Sequence, residues 1–173
     1  MMQDLQEMIL SPYNIEVRSY ENNHVRDISS FLKKIDKITS MNERSIIQLL
    51  DSDYICGIKH LNQGISQAIK AFDEKQNFAK DRGLEICVRT SAQKQISEAL
   101  KILGIKKTGN ITAVYVDVSC EQISEAENLL TDRNDSLLEE YDTDRIIKAY
   151  KLNNDSNIVD NINEKIALLA LKN

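Results

Sequence analysis

The chain has no tryptophan, one proline, two histidines, three cysteines and five glycines among 173 residues. Each scarcity excludes something. Cys56, Cys87 and Cys120 are odd in number, far apart and never in a CxxC pair, which excludes a disulfide framework and points to buried, reduced thiols. With only His24 and His60 to join them, a thiolate–imidazole zinc site has too few candidate ligands, so no structural metal is expected. The glycines at 57, 64, 83, 104 and 109 form neither a Walker loop nor a GxGxxG turn, and no GxSxG elbow is present. Enzymatic activity and a bound cofactor are therefore not expected. The longest apolar run, IALLAL, is far too short to cross a bilayer, and MMQDLQEMIL carries acids where a secretory signal needs bases. A cytoplasmic location is the expectation.

What is present is ordinary for a globular chain: 42% hydrophobic and 28% charged residues. Residues 1–12 lack periodicity and contain the lone proline, and read as an N-terminal extension. Residues 13–173 read as one domain. YNIEVRSY alternates as a strand, and apolar spacing from His24 to Ile38 marks a helix with Asn23 as its N-cap. SIIQLL is a short strand, and YICG is a second strand or the start of a helix. Leu61, Ile65, Ala68, Ile69 and Phe72 form the next helical stripe. NITAVYVDVS predicts a strand, EQISEAENLLT and DTDRIIKAY predict helices, and NIVDNINEKIALLALKN predicts a closing helix. This alternation favours an α/β fold, a mixed and mainly antiparallel sheet covered by helices.

One stretch, EICVRTSAQKQISEALKILG at 85–104, changes its period midway. Ile86 and Val88 alternate with Cys87 and Arg89 as in a strand, and Ile96, Ala99, Leu100 and Leu103 follow as a helical stripe closed by Gly104. On this reading Thr90 or Ser91 caps the helix, and the amides of Ala92, Gln93 and Lys94 point out to where an anion would be favoured. Arg89 and Lys94 add full positive charges. A capped strand-to-helix connection with solvated bases explains the same residues without a ligand.

Charge distribution gives this stretch a context. The chain carries a net charge of −5, which argues against indiscriminate nucleic-acid binding. Yet residues 54–107 hold ten Lys or Arg against five Asp or Glu, while 1–53 hold six against nine and 108–173 six against thirteen. The middle third is locally basic. Two other groups carry less. Glu139, Glu140, Asp142 and Asp144 form an acidic turn better read as solvated than as a cation site. His60, next to Lys59, has no nucleophile or paired acid in view and fits a local structural role as well as a general base.

The last helix is apolar on more than one side. Ile162, Ile166, Leu169 and Ala170 form a core stripe, whereas Leu168 and Leu171 lie off it. Either the helix is wedged into its own core, or its second side meets a partner protein.

Taken together, KHLNQGISQAIKAF, EICVRTSAQKQISEALKILGIK and NEKIALLALK, in that order, resemble the archaeal members of the PRPK-binding protein family, the Cgi-type subunit of the KEOPS complex. The resemblance spans residues 13–172. The family's middle block typically reads R-x-S-G-x-R-Q-I-x-x-A-I; Arg89, Ser91, Gln95, Ile96 and Ala99 match, and Ala92 and Lys94 depart. Ala92 in place of glycine hinders close backbone approach by a ligand, and Lys94 in place of arginine keeps charge but not a bidentate fork.

The resemblance implies a non-catalytic subunit of the machinery that installs threonylcarbamoyl on adenosine next to the anticodon of tRNA. It implies binding to the complex's small atypical kinase, an ATPase, and recruitment of tRNA through its single-stranded 3′ CCA end. On the matched motifs the tRNA-binding residues are Lys59, His60, Arg89, Ser91, Lys94 and Gln95, and the kinase contact falls on Ile166, Leu169 and Leu171. Two other readings stay open: a regulatory domain that binds a small phosphorylated metabolite at the same helix start, and a protein–protein adaptor that never meets RNA.

Overall fold

The computed structural model describes residues 13–153 and 157–171. The extension expected at 1–12 lies outside them. By its internal contacts the chain forms two compact units, each built from two separate stretches: one runs up to Asp51 and resumes over Ile105–Leu137, and the other comprises Ser52–Gly104 and the chain from Leu138 on.

The first unit is a three-stranded antiparallel sheet of β1 (Ile15–His24), β2 (Ile46–Asp51) and β3 (Thr108–Val116), with β3 in the centre. Its register runs from Ile15 opposite Val116 to Tyr20 opposite Ile111, then shifts at a bulge where Asn22 adopts φ 60. The alternation read from the sequence is realised. Ile111, Ala113 and Tyr115 of β3 share one core with Ile47 and Leu49, against Ile35 and Ile38 of α1 (Ile28–Thr39) and Ile123 and Ala126 of α5 (Cys120–Glu127). Burying each such side chain contributes about 1.5–3 kcal/mol before entropy is set against it. Helix α1 starts later than its apolar spacing suggested. Asp27, not Asn23, caps it by accepting from the Ser30 amide, while Asn23 belongs to β1 and its side chain bonds the Tyr20 carbonyl.

The second unit is helical: α2 (Gly57–Asp73), α3 (Arg82–Ser91), α4 (Ile96–Leu103), α6 (Thr143–Tyr150) and α7 (Ile158–Leu171). YICG proves to be the approach to α2, through a 3-10 turn at Ser52–Tyr54. Ile146, Tyr150, Ile158, Ile162 and Ile166 make its core with Cys56.

The strand expected at 85–89 is instead the body of α3, with Asp81 as N-cap and Glu85 and Arg89 paired one turn apart. The physical reason is burial on all sides. Eight of the ten residues of α3 are buried, among them Glu85, Arg89, Thr90 and Ser91, so polarity does not report which side chains are inside, and Ile86 and Val88 alternating with Cys87 and Arg89 imitate a strand. Helix α4 forms, but Gln95, not Thr90 or Ser91, occupies its N-cap, and of the expected stripe Ala99 and Leu103 are buried while Ile96 and Leu100 are exposed. Cys56 and Cys87 are buried, as expected, and Cys120 is exposed, because it opens α5 at the surface. The α/β class with an antiparallel sheet and covering helices is as the sequence indicated.

Candidate partner-binding surfaces

Helix α3 decides what happens to the basic motif. Arg89 is 1% exposed; its Nε donates to Glu85 Oε2 at 2.7 Å, Nη2 donates to the Gln76 carbonyl at 2.9 Å, and the guanidinium lies 4.1 Å from the Phe78 ring centre. Glu85, equally buried, accepts from the Phe78 and Ala79 amides through its other oxygen, at 2.8 and 2.7 Å. The pair ties the loop before α3 onto the helix. Arg89 is therefore an internal strut whose charge is already matched, not a cation offered to solvent.

His60 is also internal. On α2 it is wholly buried, its Nδ1 accepting from the Cys56 amide and its Nε2 donating to the Thr90 carbonyl, both at 2.8 Å. Because Nδ1 must be an acceptor there, the proton is on Nε2. Burial pushes its pKa down to about 4 against the opposing pull of the Thr90 carbonyl, so the ring is neutral at pH 7. Tyr150 meets it edge-on at 5.4 Å. The helix crossing is tight just beyond. A Cβ on Gly64 would lie 2.7 Å from Thr90 Cα, and the Thr90 hydroxyl is buried without a hydrogen-bond partner.

Ser91 ends α3 instead of starting α4. Its hydroxyl donates to the Val88 carbonyl at 2.8 Å and accepts from the half-buried Gln93 amide at 3.2 Å, and Ser91 itself is wholly buried. Ala92 follows as C-cap with φ 60 and ψ 28, its amide returning to Val88 and Arg89 carbonyls. Ala92 thus sits at a left-handed helix end, a conformation that glycine adopts without steric cost. Lys94 and Gln95 are exposed, Lys94 Nζ standing 5.9 Å from the Phe78 ring centre and Gln95 making no side-chain cap bond. Lys59 is exposed at the start of α2, on a helix and not at a sheet edge, with a loose pair to Asp160 at 3.5 Å.

Of six residues proposed to meet RNA, the fold leaves Lys59, Lys94 and Gln95 accessible and encloses His60, Arg89 and Ser91. Sequence reasoning missed Glu85, Gln76 and Phe78, the partners that neutralise and cover Arg89. The Glu85–Arg89 spacing of four was a readable signal of a helical ion pair.

Helix α7 buries one side and leaves the other exposed. Ile162 and Ile166 are wholly buried and Leu169 is 5% exposed, whereas Leu168 is 40% and Leu171 79% exposed. Ala170, expected in the core stripe, is exposed. Among the three residues assigned to a kinase contact, only Leu171 is therefore open; Ile166 and Leu169 anchor the helix in its own core, and Leu168 joins Leu171 three residues away on the outer side. Among the described residues no cluster of three or more His, Cys, Asp or Glu could hold a metal, and no helix is long and apolar enough to cross a membrane.

Among the described residues, the features this fold leaves exposed are Lys59, Lys94 and Gln95 and the apolar outer side of the last helix at Leu168 and Leu171. The chain matches the family model described as kinase binding protein CGI-121 over residues 23–170, and it belongs to that family. It is 37% identical over 128 residues to the regulatory protein Cgi121 of Methanocaldococcus jannaschii, an alignment covering 72% of this chain and 83% of that one.

Proposed function

We propose that this chain is a non-catalytic, cytoplasmic subunit of the KEOPS tRNA threonylcarbamoyladenosine complex that binds the complex's small atypical kinase and recruits tRNA by its 3′ CCA end. The observation that carries the kinase half is the outer side of α7. Leu168 and Leu171 are held in solvent by a helix whose opposite stripe is anchored, a cost that a partner would remove. Membership of a kinase-binding family supports the same half. In this arrangement Leu171 and Leu168 touch the kinase, and Ile166 and Leu169 fix the helix that presents them. Leu168→Glu with Leu171→Glu removes co-purification with the kinase subunit while the isolated protein keeps its far-UV spectrum and melting temperature. Retained co-purification would move the contact elsewhere.

The tRNA half rests on less of the motif than the sequence suggested. Lys94, Gln95 and Lys59 are its accessible members, and the first turn of α4, lacking a side-chain cap, adds amide donors, although Glu98 in that turn opposes an anion. Fluorescence anisotropy with intact tRNA against tRNA trimmed of its CCA end tests it. Trimming weakens binding, and Lys94→Ala weakens it similarly without loss of stability. Binding indifferent to both changes would leave the protein–protein adaptor.

A further inference from the structure

In the first unit, α1 and the end of α5 leave a groove of about 480 Å³ between them. Its floor is apolar: Ile38 is buried, Leu129 half-buried and Met41 50% exposed. Lys34 and Lys37 stand one turn apart along the α1 wall, both exposed, and Glu125 lines the α5 side. Unlike Arg18, Arg89 and Arg133, neither lysine has an ion pair among the described residues. An apolar floor beside two uncompensated cations calls for an occupant that is both apolar and acidic.

The chain carries such a segment beside this groove. Residues 1–12, MMQDLQEMILSP, hold Asp4 and Glu7 three positions apart, the interval of Lys34 and Lys37, among Met2, Leu5, Met8, Ile9 and Leu10, with no Lys or Arg. The segment joins the fold near the Met41 end. There the Asn14 amide donates to Asp117 Oδ1 at 2.9 Å, and Arg44, three residues beyond Met41, pairs with the other oxygen of that carboxylate at 3.7 Å. Twelve residues span about 40 Å extended or about 18 Å as a helix, and Lys34 lies only about 10 Å of helix before Met41. The whole groove is within the segment's reach.

We propose that residues 1–12 are the groove's occupant, Asp4 and Glu7 lying against Lys34 and Lys37, and Leu5, Met8 and Ile9 covering Ile38, Met41 and Leu129. The order of attachment agrees, since Glu7, nearer the fold, meets Lys37, nearer the Met41 end. Tethering selects this segment over an acidic stretch of another protein, because so short a link presents it at an effective concentration on the order of millimolar.

The test applies a carbodiimide, which couples carboxylate to amine without a spacer, to an equal mixture of ¹⁴N and ¹⁵N full-length protein, alone and with the kinase subunit. Mass spectrometry of the linked peptides should show Asp4 or Glu7 joined to Lys34 or Lys37 within molecules of one isotope. Leu5→Ser with Ile9→Ser keeps every coupling group but removes apolar anchors, and should lower the yield at least about tenfold while the amide shifts of the sheet stay as in the parent. A yield unchanged by the two serines overturns the proposal, as does the absence of these links. Mixed-isotope pairs would make the occupant a second copy, and lysines that couple only to carboxylates of the added kinase would make it a partner protein; either result overturns it as well.

Discussion

At the scale of single residues, the motif that drew attention as an anion site works as internal scaffolding. Removing one partner of a buried, hydrogen-bonded ion pair leaves the other uncompensated, so Arg89→Ala should cost about 3–5 kcal/mol, read as a lowered urea midpoint. The loop carrying Phe78 should lose amide protection with it, because Glu85 holds the Phe78 and Ala79 amides. A loss of RNA binding in that variant would report the fold, which is why Lys94→Ala is the informative substitution. Ala92 carries the opposite sign. Its φ of 60 costs an alanine about 1 kcal/mol that a glycine does not incur, offset in part by glycine's greater entropy loss. Ala92→Gly should therefore raise the melting temperature by a few degrees, measurable by calorimetry. His60 adds a pH dependence. In the folded protein its pKa is near 4, below the unfolded value of about 6.5, so the unfolded chain binds more protons between those limits. Stability from this group is complete above about pH 6.5 and is lost as pH falls toward 4, on the order of 3 kcal/mol in all. Urea midpoints at pH 7 and pH 5 should differ more in the parent than in His60→Gln.

At the scale of elements, the stripe read for α2 is realised, with Leu61, Ile65, Ala68 and Ile69 buried. In α4 only Ala99 and Leu103 of the expected stripe are buried, and Ile96 and Leu100 are exposed. α7 left a choice open, a helix wedged into its own core or a second side turned to a partner, and the structure leaves Leu168 and Leu171 exposed while burying Ile166 and Leu169. α3 misled because Glu85, Arg89, Thr90 and Ser91 are buried although polar; Asp81 three residues before Leu84 and the Glu85–Arg89 spacing are the signals of its helix. The misreading of that one element displaced the proposed N-cap by four residues or more and put Arg89 on a surface it does not reach. If α7 is the kinase-binding element, charges at Leu168 and Leu171 should act without unfolding, whereas the same substitution at Ile166 or Leu169 should unfold the second unit.

At the scale of the molecule, the charge pattern bounds what RNA binding can look like. A chain of net charge −5 whose proposed contact offers Lys59 and Lys94 as exposed cations releases few counterions. For a single-stranded end the slope of log K against log salt should be about −1.4, and a slope several times steeper would require cations outside this site. Anisotropy titrations across a salt series measure it directly.

Sequence by itself determined the α/β class, the strands β1, β2 and β3 and the family, because these follow from local periodicity and from motifs in fixed order. Only the tertiary structure decided which charges are available. Arg89 and Lys94 look alike on paper, five residues apart in one basic block. One meets Glu85, Gln76 and Phe78 in a dry interior and the other meets water, and a charge becomes a binding group only where no internal partner has already desolvated and neutralised it.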